Sequence, residues 1–165
     1  MLTAKPHDLL EPKAQGMSLP DTLASGFLPP GVHVARIDAI IERFGVATPR
    51  RVMLADCLRE LLHLARATQQ LQRAFVFGSF VTDAPFPRDL DVFLFMKEGF
   101  DRAFQSLPPA QRHVFEHEQA RLVFEADIFW ATEAIGADEL TAWLSVYQLS
   151  REMEPRGIVE VEWDD

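Results

Sequence analysis

The sequence predicts a mixed α+β domain in which a small mixed sheet is flanked by helices. Short runs rich in Val, Phe and Ile, interrupted by Gly, Pro or Asp, are typical of buried strands. Longer segments carry apolar residues at helical spacing. The connections between the strands are both hairpin-like and helical, which indicates an α+β fold. With 165 residues, the chain has the length of one domain.

The N-terminal region has the composition of an arm or loop. Residues 1–31 contain five prolines and three glycines, which interrupt regular structure. We therefore expect an N-terminal arm or loop at residues 1–31 and a single domain at residues 32–165.

Two helices are predicted next along the chain. Residues 34–44 carry apolar side chains at helical spacing, and Gly45 is a helix stop signal. Thr48 is suited to be the N-cap of a second helix, with Pro49 at its first position. The following residues 50–68 have one continuous apolar face.

The remaining segments alternate between strand and helix composition. The predicted strands are residues 74–80, 89–96, 121–131 and 157–163. The predicted helices are residues 100–119, with an interruption at 107–109, and residues 137–151. The last strand, GIVEVEW, alternates apolar and acidic residues, which predicts a half-exposed strand at the edge of the sheet.

The composition excludes several classes of protein. The formal net charge is −9, so we do not expect non-specific nucleic-acid binding, which depends on Lys and Arg. Arg50 and Arg51 are adjacent, and we expect them on a solvated helix face. Cys57 is the only cysteine, which suits a reducing compartment. The sequence has neither a signal-peptide stretch nor a membrane-spanning run, so we expect a cytoplasmic protein without membrane association.

A pair of aspartates is the first candidate for chemistry. Asp89 and Asp91 are two residues apart on a predicted strand, so they share one face with backbones about 6.5–7 Å apart. Leu90 and Val92 point to the opposite, core face. Two carboxylates this close repel each other unless a cation or proton intervenes. Carboxylate oxygens are ligands that Mg²⁺ or Mn²⁺ prefers, and Mg²⁺ keeps positions open for substrate phosphates.

A glycine-serine turn at the end of the preceding strand is the second candidate. Gly78 lets the backbone turn sharply and approach a ligand closely. Ser79 supplies a hydroxyl, and a helical turn after it would offer N–H groups to a phosphate. The two motifs thus combine hydrogen-bond donors for a phosphate with carboxylate ligands for a metal cation.

A third acid is expected because two metals about 3.5–4 Å apart need bridging and terminal ligands. Asp127 lies in the predicted strand at residues 121–131, between Ala126 and Ile128. Glu125 has the same parity and is the alternative. We favour Asp127 because it lies deeper in the apolar run.

These motifs together resemble the minimal nucleotidyltransferases of the DNA polymerase β superfamily. The matching residues are Phe77-Gly78-Ser79, then after nine residues Asp89-Leu90-Asp91-Val92, and finally Ala126-Asp127-Ile128. The resemblance covers about residues 58–130, and LPPGVH and PRGIVEVEW also resemble segments of a group of small bacterial proteins with this core. It implies Gly78 and Ser79 binding a nucleoside triphosphate, two Mg²⁺ ions on Asp89, Asp91 and Asp127, and transfer of a nucleoside monophosphate to a hydroxyl acceptor.

Two other functions are alternatives. Proteins with a nucleotidyltransferase fold also act as non-catalytic partner modules, such as one half of a toxin-antitoxin-like pair, because a fold does not determine a function. His113, Glu116 and His117 form an H-x-x-E-H pattern, which in zinc peptidases places two histidines one helical turn apart.

Overall fold

The computed structural model describes residues 18–164. These residues form five strands and six helices, which confirms the predicted mixed α+β fold. The strands are β1 (Gly31–Arg36), β2 (Leu71–Phe77), β3 (Leu90–Met96), β4 (Ala126–Thr132) and β5 (Gly157–Glu162). The helices are α1 (Ile37–Phe44), α2 (Pro49–Ala67), α3 (Phe100–Phe104), α4 (Pro109–Phe115), α5 (His117–Phe124) and α6 (Gly136–Tyr147).

The five strands form one mixed sheet in the order β1-β5-β2-β3-β4. β1 is parallel to β5 and β3 is parallel to β4, whereas β2 is antiparallel to both of its neighbours. Consequently β2 ends at the same end of the sheet at which β3, β4 and β5 begin. The residues that follow β2 therefore lie at the same end of the sheet as the first residues of β3, β4 and β5.

Apolar side chains cover both faces of the sheet. One face packs against α1, α2, α4 and α5 and forms the larger core, which includes Leu58, Val76 and Val92. The other face carries a smaller aromatic cluster, in which Phe77 and Phe93 contact Tyr147 of α6 with ring centroids 4.3 and 5.4 Å apart. Burial on both faces explains why β3 is a nearly continuous apolar run.

Helix α2 begins as its sequence predicts. The hydroxyl of Thr48 accepts a hydrogen bond from the backbone N–H of Arg51 at 3.2 Å, and Pro49 occupies the first turn. The cap satisfies one of the N–H groups that a helix leaves without an internal partner.

The segment predicted as a helix over residues 34–44 contains two elements instead. Residues 31–36 form β1, and the helix begins only at Ile37. β1 forms because Gly31–Arg36 pairs in parallel with β5 over six residues. This pairing joins distant parts of the chain, so it overrides the helical spacing of the apolar residues.

The prediction that the last strand lies at the edge of the sheet is wrong. β5 lies between β1 and β2, and its Ile158 and Val159 are fully buried. Glu160 is tolerated there because its carboxylate accepts two hydrogen bonds from Arg73 of β2, at 2.7 and 2.9 Å. An acidic residue in a strand can therefore mark a cross-strand ion pair rather than exposure to solvent.

The predicted strand at residues 121–131 is shorter than expected. Residues 117–124 belong to α5, and β4 begins at Ala126. Glu125 lies between them with a positive φ of 49°. The predicted helix at residues 100–119 consists of α3, α4 and the start of α5, with the expected interruption before Pro109 and another at Glu116.

Part of the predicted N-terminal arm is integrated into the domain. Residues 1–17 lie outside the described part of the chain. Leu28 is fully buried in the larger core, and its carbonyl accepts a hydrogen bond from the N–H of Gly157 at 2.9 Å. Among residues 18–164, no helix has the length and apolar character needed to cross a membrane.

Candidate metal centre

The turn after β2 brings the backbone against an aspartate. Gly78 has φ 76° and ψ −161°, a conformation that is essentially restricted to glycine. A Cβ atom at this position would lie 2.0 Å from Oδ2 of Asp91, so a side chain here would collide with that carboxylate. Glycine is therefore required by the backbone conformation and by the close approach.

Three aspartates meet at this end of the sheet. Asp91 of β3 and Asp127 of β4 are register partners in the parallel pair, and Asp89 directly precedes β3. Each of the three offers a carboxylate oxygen, and these oxygens lie within 4.8 Å of one another. Leu90 and Val92 are fully buried, so they anchor the strand between the acids.

The electrostatics of the cluster disfavour three free negative charges. Burial, followed by the charges of Asp89 and Asp127, raises the pKa of Asp91 to about 7, against the opposing effect of Arg156 and Arg151. Burial, followed by the charge of Asp127, also raises the pKa of Asp89. A bound cation would relieve this repulsion.

Asp127 retains a free acceptor. Its Oδ1 atom is buried and accepts no hydrogen bond from residues 18–164. Nε of Arg121 lies 2.9 Å from this oxygen, but the pair lacks hydrogen-bond alignment, so we regard it as an ion-pair contact only. An all-carboxylate donor set with an unsatisfied buried oxygen fits a hard cation such as Mg²⁺ or Mn²⁺.

Ser79 directly follows Gly78, which lies against Asp91. The helical turn expected at this position is a single 3-10 turn, Ser79–Val81. The backbone carbonyl of Ser79 accepts hydrogen bonds from the N–H and the hydroxyl of Thr82. Within the described part of the chain its own hydroxyl has no protein partner, so the hydroxyl is free to contact a ligand.

Two adjacent arginines at the start of α2 hold the loop between the turn and the acids. Arg51 is only 4% exposed, so the prediction of a solvated face is wrong for this residue. Its guanidinium donates hydrogen bonds to four backbone carbonyls, those of Phe44, Phe80, Thr82 and Ala84. Burial lowers its pKa, and nearby Asp83 opposes that change.

Arg50 holds the other end of the same loop. It donates to the carbonyls of Pro87 and Arg88, and its Nη1 lies 2.9 Å from Oε1 of Glu125. The alternative third acid is thereby directed towards Arg50, outside the cluster of Asp89, Asp91 and Asp127. Glu125 lacks the strand parity assumed for it, because its backbone is left-handed.

Two further cations near the acids were missed at the sequence level. Arg151 and Arg156 lie in the connection between α6 and β5 and are close enough to lower the pKa of Asp91. Arg156 lies in the segment PRGIVEVEW, whose resemblance to other small proteins assigns it no chemical role, and Arg151 lies outside every motif described for the sequence. A further signal was their position before the last strand, which begins at the end of the sheet where the acids lie.

The H-x-x-E-H pattern does not form a single helical face. His113 lies in α4 and His117 opens α5, while Glu116 between them has extended backbone angles of φ −98° and ψ 115°. Among residues 18–164, the only cluster of potential metal ligands is the aspartate trio. The geometry on which the zinc-peptidase alternative depends is therefore contradicted.

Comparison with known families gives one match. Residues 20–162 match the family of unknown function DUF6932. The chain belongs to this family. The matched range contains the whole sheet, the Gly78–Ser79 turn and all three aspartates. Neither the curated proteins nor the solved structures contain a match to the chain.

Proposed function

We propose that this protein is a metal-dependent nucleotidyltransferase. In this role it moves a nucleoside monophosphate from a nucleoside triphosphate to a hydroxyl on a protein, an RNA or a small molecule, and releases pyrophosphate. The observation that carries the proposal is the convergence of Asp89, Asp91 and Asp127 within 4.8 Å, beside the glycine that Asp91 requires at position 78. The resemblance to minimal nucleotidyltransferases supports the same function.

Each residue of the proposed site has a different role. Asp89, Asp91 and Asp127 would hold Mg²⁺ or Mn²⁺, which would stabilise charge on phosphoryl oxygens and activate the attacking hydroxyl. Gly78 leaves the space that the carboxylate of Asp91 occupies, and Ser79 would donate its hydroxyl to a phosphate oxygen. Arg51 keeps the loop after Ser79 in place through its carbonyl contacts.

A non-catalytic partner module is the alternative, and one observation favours it. Val46, Val52 and Met53 form an exposed apolar patch at the start of α2, with 62%, 44% and 39% of their surfaces accessible. Such a patch suits contact with a partner protein. The patch is compatible with an enzyme as well, so activity decides between the two functions.

Mass spectrometry of the purified protein tests the proposal. The protein is incubated with each nucleoside triphosphate in turn and Mg²⁺ or Mn²⁺, and then with labelled nucleotide and cell lysate. We expect a nucleoside monophosphate adduct on the protein itself or on a lysate component, and no adduct when EDTA is present. Absence of transfer with every nucleotide, from a protein that still binds the metal, would favour the partner module.

A further inference from the structure

The start of β5 lies on the opposite side of β2 from the acids. β2 lies between β5 and β3. Its Phe77 is paired with Asp91 of β3, and its Val76 is paired with Val159 of β5. Because β5 is antiparallel to β2, its first residues lie beside the end of β2. Arg156, which directly precedes β5, is therefore on one side of the Gly78–Ser79 turn, and Asp91 is on the other.

The guanidinium of Arg156 lies on the same face of the sheet as the acids. Its Cζ atom is 6.0 Å from the ring centroid of Phe77, the register partner of Asp91. Its Nε donates a hydrogen bond to the carbonyl of Tyr147 at 3.2 Å. This hydrogen bond anchors the guanidinium of Arg156 to the last residue of α6. The two terminal nitrogens of the guanidinium have no protein acceptor within residues 18–164.

Arg151 lies in the same connection, on a short hairpin. Leu149 and Pro155 form a bridge, and the hydroxyl of buried Ser150 accepts hydrogen bonds from the N–H groups of Glu152 and Glu154. The hairpin presents Arg151 to solvent. The hairpin directly precedes β5, which begins at the end of the sheet where the acids lie.

Within the described part of the chain, neither of the two arginines is paired with an acid. Residues 18–164 contain five ion pairs, and neither Arg151 nor Arg156 belongs to any of them. Burial lowers the pKa of Arg156, and the charge of Asp91 partly restores it. Arg156 therefore lies on one side of the Gly78–Ser79 turn, and the three carboxylates lie on the other.

A polyphosphate matches this arrangement. Its oxygens can accept hydrogen bonds from guanidinium groups while others coordinate a metal held by carboxylates. We propose that Arg156, assisted by Arg151, binds the triphosphate of the nucleotide from the side opposite the three aspartates. This inference rests on the proposed function, because it requires the metal at the aspartates.

Binding measurements on the full chain separate this inference from the proposed function. Mn²⁺ binding is followed by electron paramagnetic resonance, and binding of inorganic tripolyphosphate at saturating Mn²⁺ is followed by calorimetry. The variants are Arg156→Met, Arg156→Lys and Arg151→Met. Arg102→Met is the matched control, because Arg102 is an exposed arginine on α3, which follows the opposite end of β3.

We expect Arg156→Met to retain Mn²⁺ and to weaken tripolyphosphate binding about 10- to 100-fold, as for a lost charged hydrogen bond. Arg156→Lys and Arg151→Met should weaken it about 3- to 10-fold, and Arg102→Met should leave it unchanged. Thermal melts check that each variant folds. If Arg156→Met does not fold, the other two arginine variants decide.

Three results would overturn the inference. Retained Mn²⁺ binding with unchanged tripolyphosphate affinity in the folded variants would remove the arginines from the site and leave the proposed function intact. If Arg102→Met weakened tripolyphosphate binding equally, the effect would be explained by the net charge of the protein alone. Failure of the parent protein to bind Mn²⁺ would remove the proposed function together with this inference.

Discussion

Gly78 and Asp91 approach each other so closely that a Cβ atom on Gly78 would lie 2.0 Å from the carboxylate oxygen Oδ2. The contact joins the turn after β2 to the first acid inside β3. It links the Gly78–Ser79 turn, which is proposed to bind phosphate, to the aspartates that are proposed to bind metal. No other residue type fits at position 78.

Replacing Gly78 by alanine should therefore damage both stability and metal binding. The strained backbone and the collision together should lower the free energy of unfolding by about 2–4 kcal/mol. Asp91 should also be displaced, so Mn²⁺ affinity should fall about 10-fold or more. Urea denaturation and calorimetry measure the two effects.

Gly99→Ala is the control for this prediction. Gly99 has a φ of −78° and no atom within 4 Å of an added Cβ. Equal loss of stability in both variants would contradict the specific role of the contact between Gly78 and Asp91.

The metal-free protein should become less stable as the pH rises through the acidic and neutral range. Asp91 has a folded-state pKa raised to about 7 from an ordinary value of 3.8. The folded state thus holds its proton more tightly than the unfolded state does, so stability is lost between about pH 4 and about pH 7. The loss from this group should be on the order of 2 kcal/mol, after allowing for solvent screening.

Urea denaturation in EDTA at about pH 5 and about pH 8 measures this dependence. Asp91→Asn should flatten it, and Mg²⁺ should restore stability to the parent protein at the higher pH. The opposite result would be a gain in stability of the parent protein with rising pH in EDTA. If Asp91→Asn abolished that gain, the assigned repulsion at Asp91 would be contradicted.

Arg51→Met should strongly destabilise the fold. The change keeps much of the side-chain volume but leaves four backbone carbonyls, including those of Phe80 and Thr82, without their donor. We expect a loss of about 3–5 kcal/mol, since each buried acceptor left unpaired is costly. Arg43→Met, at an exposed position on α1, should change stability by less than about 0.5 kcal/mol. Similar denaturation midpoints for the two variants would show that the loop does not depend on Arg51.

Two features of the aspartate cluster could be predicted because they depend on local rules. Strand parity places Asp89 and Asp91 on one face, and the apolar run around Asp127 indicates that this residue lies on a buried strand. The parallel register that places Asp127 beside Asp91 follows from the sheet topology. The capped start of α2 is equally local, since Thr48 and Pro49 act within one turn.

The features that could not be predicted depend on contacts between distant residues. β1 forms through its pairing with β5, more than a hundred residues away. The interior position of β5 depends on its pairing with β1 and β2, and Glu160 is accommodated there by its ion pair with Arg73. Arg51 resembles a surface residue of a helix, and only the fold brings the carbonyls of Phe80, Thr82 and Ala84 to its guanidinium.

The most direct test of the account is nucleotide transfer by the parent protein and by Asp91→Asn, measured side by side with labelled nucleoside triphosphate and Mg²⁺. Asn has nearly the same volume as Asp but lacks the charge that holds the metal. Asp101→Asn, at an exposed residue on α3, is the control. The account predicts transfer by the parent and the control and a decrease of about 100-fold or more in Asp91→Asn. Unchanged transfer by Asp91→Asn would contradict it.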